Sequence, residues 1–253
     1  MARMESIVKY DSKPVLKDPI LIEALPGIGN VGKIAGDFIA DSLGAVKFAS
    51  IFSMNFPPQV NPDQDCVVHM ACNELWYAKA PNGQDIVFLR GNYQGSTPEG
   101  QFILAQDVME IMMSYDVSKV ITLGGYGTGQ MVDEPHVYGA LSRKELRDGL
   151  EELGVTFNPG EPQAGIIGAA GLLIGMSQIN GIDGFCLMGE TSGFFEDHKS
   201  AMAVVKVLTK IFGIEDVDLK ELQDKSQKID ELTEQVKAAN NEKPKLNELG
   251  YIG

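Results

Sequence analysis

The amino-acid sequence predicts an α/β protein in which a largely parallel sheet is covered by helices on both faces. Short apolar runs typical of buried strands alternate along the chain with stretches of helical spacing. Two of these runs end in glycine-rich segments, which α/β proteins commonly place at the ligand-binding edge of the sheet. With 253 residues, 44% of them hydrophobic, the chain can bury a core without disulfides or metals.

Seven segments predict strands because their residues are mainly apolar and turn-forming residues bound them. They lie at residues 19–25, 45–54, 65–71, 74–80, 85–90, 119–123 and 183–188. Pro81-Asn82-Gly83 is typical of a tight turn, so the segments around it are expected to form a hairpin inserted into the alternating pattern.

Four segments predict helices because apolar residues recur three or four positions apart. They lie at residues 30–43, 97–115, 142–153 and 196–212. The second opens on Thr97-Pro98-Glu99, a helix start signal. The third opens on Ser142, followed three residues later by Glu145, which is the pattern of a capping box.

The last part of the chain differs in composition from the rest. Charged residues dominate it, and an apolar stripe with a spacing of roughly three to four, interrupted at Ser226 and Thr233, is formed by Leu219, Leu222, Ile229, Leu232 and Val236. This predicts an amphipathic helix followed by a flexible tail after Pro244, and hence an α/β/α core domain at 1–214 and a helix with tail at 215–253. Because a helix of about three heptads is marginal alone, we expect a homo-oligomer.

Composition also limits the classes of partner. A formal net charge of −14 argues against a nucleic-acid surface, because phosphates need a cationic face. The chain has three cysteines, an odd and sparse set that does not indicate a disulfide scaffold. No apolar stretch approaches the roughly 20 residues of a membrane span, and the N-terminal residues lack the apolar run of a signal peptide. We expect a cytoplasmic protein without nucleic-acid or membrane partners.

The glycines after the first predicted strand leave three alternatives open. Gly27, Gly29 and Gly32 match the G-x-G-x-x-G dinucleotide pattern, but the acidic residue about 20 positions later is missing. The same residues with Lys33 nearly match a phosphate-binding loop, but Ile34 stands where a Ser or Thr would hold magnesium. A tight structural turn is favoured, ahead of anion or small-molecule binding at the helix N-terminus and of nucleotide catalysis.

Two later glycine-rich segments are expected at the same edge of the sheet. Residues 124–129 are predicted as a loop after the strand at 119–123, and residues 189–193 follow the strand at 183–188. The candidate ligand loop therefore comprises Gly27, Gly29, Asn30, Gly32, Lys33, Gly125, Tyr126 and Glu190.

The sequence offers no pattern for metal or nucleophilic chemistry. Cys66, His69 and Cys72 are three residues apart, so on a strand their side chains alternate between faces and do not converge. His136 and His198 have no evident nucleophile partner. We predict no catalytic residue, no metal and no cofactor.

Four segments together resemble the archaeal and bacterial members of the proteasome assembly chaperone family. They are LPGIGNVG at 25–32, LGGY at 123–126, GIIGAAGLL at 165–173 and LMGET at 187–191, and the resemblance covers most of residues 15–213. It implies a three-layer α/β/α sandwich similar to purine nucleoside phosphorylase. It also implies a role in assembling the core proteasome particle by binding its α subunits.

The resemblance also implies a role for the end of the chain. Archaeal members carry a hydrophobic residue, a tyrosine and any residue at the C-terminus, and this tail enters pockets between α subunits. Here the segment is Leu249-Gly250-Tyr251-Ile252-Gly253, with the tyrosine third from the end rather than second. The candidate partner-binding residues are Leu249, Tyr251, Ile252 and Gly253.

These observations predict a non-enzymatic binding protein, a homologue of proteasome assembly chaperones that binds core-particle α subunits partly through its tail. One alternative is a nucleotide- or small-molecule-binding enzyme of the ligase or phosphorylase kind that uses the loop at 27–33 and Glu190. Another is an oligomeric scaffold whose tail self-associates.

Overall fold

The structure is a computed structural model that describes residues 6–158, 165–215 and 217–241, the side chains as far as 232. The strands are β1 Ser6–Tyr10, β2 Ile20–Ala24, β3 Val46–Ser53, β4 Val60–Pro62, β5 Val68–Met70, β6 Asn73–Lys79, β7 Asp85–Gly91, β8 Lys119–Gly127, β9 Val137–Leu141, β10 Val155–Thr156 and β11 Asp183–Thr191. The helices are α1 Val31–Ser42, α2 Pro98–Met113, α3 Arg147–Glu151, α4 Ala169–Ile179, α5 His198–Phe212 and α6 Lys220–Asn241. The chain divides into two compact units, Met1–Val217 and Asp218–Gly253.

Within the described residues, nine strands form one mixed sheet in the order β1-β3-β6-β7-β2-β8-β11-β9-β10. The four central strands β7, β2, β8 and β11 are parallel to one another. Antiparallel strands extend the sheet on both sides, with β6, β3 and β1 beyond β7 and with β9 beyond β11. The inserted hairpin is confirmed, whereas the sheet predicted to be largely parallel is mixed, because antiparallel strands flank its four parallel central strands.

Helices cover both faces of this sheet. Gly189 of β11 faces α1, since a methyl group there would contact Val31, whereas its neighbour Met188 packs with Ile174 of α4. Helices α1 and α5 contact each other on the first face, and α2 and α4 contact each other on the second. The α/β class with helices on both faces is therefore confirmed, as a three-layer arrangement.

The main apolar core lies between the sheet and the second pair of helices. Strand side chains and side chains of α2 and α4 fill it; the members with the least exposed surface include Leu21, Phe48, Leu75, Leu89, Val108, Met112 and Leu173. Burying one such side chain contributes about 1.5–3 kcal/mol. This layer fixes the position of α4 relative to the carboxyl ends of β2, β8 and β11.

The hairpin between β6 and β7 forms at the predicted turn. Ala80 N–H donates to the Gln84 carbonyl at 2.8 Å, and Gly83 N–H donates to the Ala80 carbonyl at 2.9 Å. Gly83 has a φ of +88°, a left-handed conformation that favours glycine. Turn chemistry thus sets the register of this pair of strands.

Two predicted segments differ from the structure. Of residues 65–71 only Val68–Met70 forms a strand, and it pairs with β4 in a separate two-stranded sheet. Residues 124–127 are not a loop, because they continue β8 and pair with β11, where Gly124 is opposite Met188 and Gly127 is opposite Thr191. Gly125 lets the strand pass close to the backbone of Ile28, where a Cβ would collide with the carbonyl oxygen.

The predicted capping box at 142–145 is also wrong. Ser142 does not cap a helix; its Oγ accepts a hydrogen bond from Gly184 N–H at 2.9 Å. The segment instead forms a 3₁₀ turn at Lys144–Leu146, followed by the short helix α3. A long-range bond to β11 therefore replaces the local capping bond that the pattern predicted.

The second unit contains α6, which bears the predicted stripe of apolar residues. Lys225 pairs with Glu221 at 2.7 Å one turn away, a favourable spacing on an exposed helix. No helix in the described part of the chain combines the length and apolar character that crossing a membrane requires. The predicted tail, with Leu249, Tyr251 and Ile252, lies outside the described residues.

We expect two helical glycines to respond oppositely to alanine. Gly32→Ala in α1 should lower the free energy of unfolding by about 1–3 kcal/mol, because the new methyl group would collide with the Leu123 carbonyl. Gly175→Ala in α4 has open space around the methyl group and should raise it by about 0.5–1 kcal/mol. Urea unfolding of both variants tests this; equal shifts would contradict the packing of α1 on β8.

Candidate functional site

A cleft of about 770 Å³ opens at the carboxyl ends of β2 and β8, on the face covered by α2 and α4. Its walls are mainly apolar and include Leu25, Ile28, Leu123, Ile166, Ile167 and Met188. Glycines at 27, 124, 125, 127, 165 and 168, together with Glu23, Gln94 and Gln101, also line it. The position agrees with the edge at which α/β proteins bind ligands.

Glu23, the acidic residue of β2, has only 1% of its surface exposed. Its Oε1 accepts a hydrogen bond from Leu25 N–H at 3.1 Å, and its Oε2 accepts one from Leu123 N–H at 3.4 Å. Burial raises the pKa of Glu23 to about 8, although the two N–H donors act in the opposite direction. At neutral pH the carboxyl group is mostly protonated and can donate a hydrogen bond.

Glu23 belongs to a row of side chains that crosses three parallel strands. Thr122 of β8 is in register with Glu23 of β2 and with Cys186 of β11. Burial raises the pKa of the Cys186 thiol to about 12, and the charge of the neighbouring Glu23 acts in the same direction. The Cys186 thiol is therefore an uncharged group in the lining of the cleft rather than a nucleophile.

Gln94 connects the two loops that border the cleft. Its Nε2 donates to the Pro26 carbonyl at 2.6 Å, and its Oε1 accepts from Ala169 N–H, at the start of α4, at 2.9 Å. Gly168 has a φ of +82°, and a Cβ there would collide with the amide of Gln94. One side chain thus holds the loop after β2 against the beginning of α4.

The glycines at 27–32 turn the chain from β2 into α1. Gly29 and Asn30 both adopt left-handed backbone, with φ of +60° and +50°. Gly32 packs directly on the backbone of Leu123, and a methyl group there would collide with its carbonyl oxygen. Positive φ and close packing therefore account for two of the three glycines in the pattern, which supports the structural-turn interpretation.

The structure divides the candidate ligand loop into two groups. Gly27, Gly125 and Tyr126 line the cleft. Asn30 instead approaches the start of α5, where its Nδ2 donates to Glu196 Oε1 at 3.0 Å. Gly29 and Gly32 serve the turn, so the predicted set is only partly brought together.

Lys33 faces away from this cleft. Its Nζ pairs with Asp37 Oδ2 at 2.8 Å, and the other Asp37 oxygen accepts from Arg90 Nε at 2.7 Å. Arg90 also pairs with Asp41 at 2.9 Å and stacks over Trp76 at 4.8 Å from its ring centre. These residues line a separate cleft of about 860 Å³, and their charges largely neutralise one another.

Glu190 lies near the end of β11, in register with Tyr126 of β8. Its Oε2 is 3.1 Å from His136 Nδ1 and accepts from His136 N–H at 3.3 Å. The rings of Tyr126 and Tyr138 are 4.6 Å apart between their centres. Through Tyr126, this polar and aromatic cluster is next to the cleft, but Glu190 itself is not among the lining residues.

Sequence reasoning missed the polar side chains of the cleft, Glu23, Gln94 and Gln101. Glu23 had a usable signal, because it is the one charged residue in the apolar run ILIEA, and buried carboxyl groups are rare unless paired or functional. Gln94 had none, since its role depends on Pro26 and Ala169, which are distant in sequence.

The lining determines which chemistry the cleft can support. Its described residues include no Lys, Arg or His, so they offer no cation for a phosphate group. Across the described ranges, no group of three or more His, Cys, Asp or Glu side chains is placed to hold a metal ion. The cleft can enclose an apolar body and bond to it through Glu23 and Gln101.

Comparison with known proteins shows matches along nearly the whole chain. The family model described as PAC2 family matches residues 21–237. An uncharacterized protein of Methanocaldococcus jannaschii is 36% identical over 246 residues, which cover 94% of this chain and 93% of that protein.

Two solved structures from Pyrococcus furiosus are similar to this one. PbaB, an archaeal proteasome activator, has 32% identity and a TM-score of 0.87, with 92% of this chain and 99% of PbaB covered. PbaA, an archaeal homolog of proteasome-assembly chaperone, has 26% identity and a TM-score of 0.76, with 94% of this chain and 95% of PbaA covered.

Glu23→Gln should become more stable relative to the wild type as the pH rises. An unfolded glutamate loses its proton near pH 4.5 and the folded one near pH 8, so the stability that the protonated group provides is present below about pH 4.5 and is lost as pH rises to about 8. Between about pH 5 and pH 8 the difference in unfolding free energy should change by about 3 kcal/mol in favour of the variant.

Urea unfolding at the two pH values measures this change. Glu110→Gln, which alters an exposed glutamate of α2, is the matched control and should keep the pH dependence of the wild type. A Glu23→Gln curve parallel to that of the wild type would contradict the buried, protonated state of Glu23.

Proposed function

The chain belongs to the PAC2 family, and from this membership we propose that it is a proteasome assembly chaperone-like protein that binds the proteasome core particle in the cytoplasm. The observation that carries the proposal is the similarity to Pyrococcus furiosus PbaB and PbaA, which extends over at least 92% of this chain. The family model matches residues 21–237, a range that includes β3 to β11 and α1 to α5.

The proposed contact is made partly by the segment Leu249–Gly253. Tyr251 offers an aromatic face and a hydroxyl group with few rotamers to restrict, which is typical of residues that dominate binding energy. Ile252 and Leu249 add apolar area beside it. After the end of α6 at Asn241, the stretch from Glu242 to Glu248 is rich in Glu and Lys, so we propose that it acts as a polar tether between α6 and the docking residues.

We also propose that the protein acts as a homo-oligomer. Several tethered segments on one oligomer would reach neighbouring α subunits of a ring, and linked binding raises the effective concentration of each further contact. Individually weak contacts would then sum to stable binding. Within the apolar stripe of α6, Leu222 is 3% exposed but Leu232 is 60% exposed, so the end of the stripe at Leu232 supports this proposal.

Activation of the mature core particle is a second candidate function. PbaB, an archaeal proteasome activator, has the higher TM-score and identity of the two relatives. Assembly and activation both require binding to the core particle, but they differ in which form is bound and in the consequence. An enzyme that uses the loop at 27–33 is less well supported, because Lys33 pairs with Asp37 outside the cleft.

Tyr251→Ala should weaken binding to the core particle by roughly 30-fold per site, the effect of removing an anchor worth about 2 kcal/mol. Surface plasmon resonance with purified α subunits and with mature core particle measures it. Leu246→Ala, in the same tail but outside the docking residues, is the matched control and should bind as the wild type does.

The same preparations separate the two candidate functions. An assembly chaperone should bind free α subunits and accelerate formation of core particle, whereas an activator should increase peptide hydrolysis by the mature particle. Equal affinity of the wild type and a variant lacking 249–253 would place the interface elsewhere on the chain. Absence of binding to both preparations would contradict a proteasome role.

A further inference from the structure

The cleft at the sheet edge contains a buried acid, Glu23, for which the described lining residues offer no counter-ion. Glu23 lines the cleft with 1% of its surface exposed, and within the described part of the chain its two oxygens accept hydrogen bonds from the backbone N–H groups of Leu25 and Leu123 alone. Buried carboxylates are normally paired with a cation. Among the described residues that line this cleft, none is Lys, Arg or His.

We propose that the cleft binds a small organic cation, an ammonium or amidinium group carried on an apolar body, with Glu23 as its counter-ion. The ligand supplies the positive charge that the described lining residues lack. The N–H groups of Leu25 and Leu123 hold the carboxylate in place, and each carboxylate oxygen keeps a further lone pair for the cation.

The remainder of the cleft suits the apolar part of such a ligand. A volume of about 770 Å³ falls within the range of about 300–1,000 Å³ found for small-molecule sites. Ile166, Ile167 and Met188 provide apolar contacts, and Tyr126 adds an aromatic ring. Aromatic faces also attract cations, which strengthens the preference for positive charge.

An anionic ligand is disfavoured by the same geometry. The beginning of α4 borders the cleft, and one N–H group of its first turn, that of Ala169, already donates to Gln94 at 2.9 Å. An anion entering there would approach Glu23 without a neutralising side chain among the described lining residues. A net charge of −14 for the chain adds to this preference for cations.

Protonation of Glu23 gives the proposal a measurable signature. The other titratable side chains of the described lining are Cys186 on β11 and Tyr126 on β8, while α2 and α4 contribute Gln101 and Ala170. Because burial raises the pKa of Glu23 to about 8, a cation that binds at pH 7 must displace a proton. Affinity should therefore rise close to a hundredfold, about 90-fold, between pH 6 and pH 9, and level off above pH 8.5.

Three probes of nearly identical shape distinguish the ligand charge: benzamidine, which is cationic, benzamide, which is neutral, and benzoate, which is anionic. Isothermal titration calorimetry of the full chain at pH 6, 7.5 and 9 measures their affinities, and titration in buffers of different ionisation enthalpy measures proton release. Benzamidine should bind with a Kd of about 10 mM or tighter at pH 9, as expected for its size, and should release nearly one proton at pH 7.

Two variants locate the probe. Glu23→Gln keeps the size of the side chain but removes the charge, and should weaken benzamidine binding at pH 9 at least tenfold. Gly124→Ala adds a methyl group to the cleft at a position where a Cβ meets Met188 at 3.8 Å, an ordinary contact, and should also weaken benzamidine binding. Lys33→Ala, outside the cleft, is the matched control and should bind benzamidine as the wild type does.

The outcomes separate the proposal from its alternatives. Benzamide or benzoate binding as tightly as benzamidine would overturn it, as would a benzamidine affinity that does not change between pH 6 and pH 9. No benzamidine binding at pH 9, or binding that both cleft variants retain, would overturn it as well. These results are independent of proteasome binding, which the Tyr251→Ala comparison measures separately.

Discussion

The arrangement of the central sheet edge depends on direct backbone contact between α1, its preceding turn and β8. Side chains are absent at Gly32 and Gly125, so α1 packs on the Leu123 carbonyl and the turn at Ile28 packs on β8. Close-packed backbone leaves no room for a methyl group at either glycine. The direction in which the chain leaves β2, and hence the wall of the cleft, follows from these contacts.

The burial of Glu23 follows from the same contacts between β8 and the turn before α1. The loop that turns into α1 brings Leu25 N–H to one carboxyl oxygen, and β8 brings Leu123 N–H to the other. Two donors partly replace water, yet desolvation still dominates and the pKa of Glu23 rises to about 8. The packing that stabilises the fold therefore buries a carboxyl group whose protonation state a bound ligand can change.

Sequence pattern was sufficient for the parts of the fold that local chemistry determines. Apolar runs and Pro81-Asn82-Gly83 identified the central strands and the β6–β7 hairpin because burial and turn geometry act over a few residues. The pattern was insufficient where a residue distant in sequence determines the local structure. Ser142, for example, accepts a hydrogen bond from Gly184 N–H instead of capping a helix. The cleft shows the same division, since Gly27 and Tyr126 were found by pattern whereas Gln94, which bonds to Pro26 and Ala169, was not.

The glycine pattern at 27–32 illustrates why a nucleotide motif needs its chemical context. A phosphate at the N-terminus of α1 would need free donors and a nearby cation. Here Asn30 Nδ2 already donates to the carboxylate of Glu196 at 3.0 Å, and Lys33 pairs with Asp37. A phosphate entering this turn would therefore meet a carboxylate at Asn30 and would have to compete with Asp37 for Lys33. Packing and backbone conformation therefore account for the glycines. Any ligand at this edge of the sheet would bind on the opposite side of the loop, where Glu23 lines the cleft.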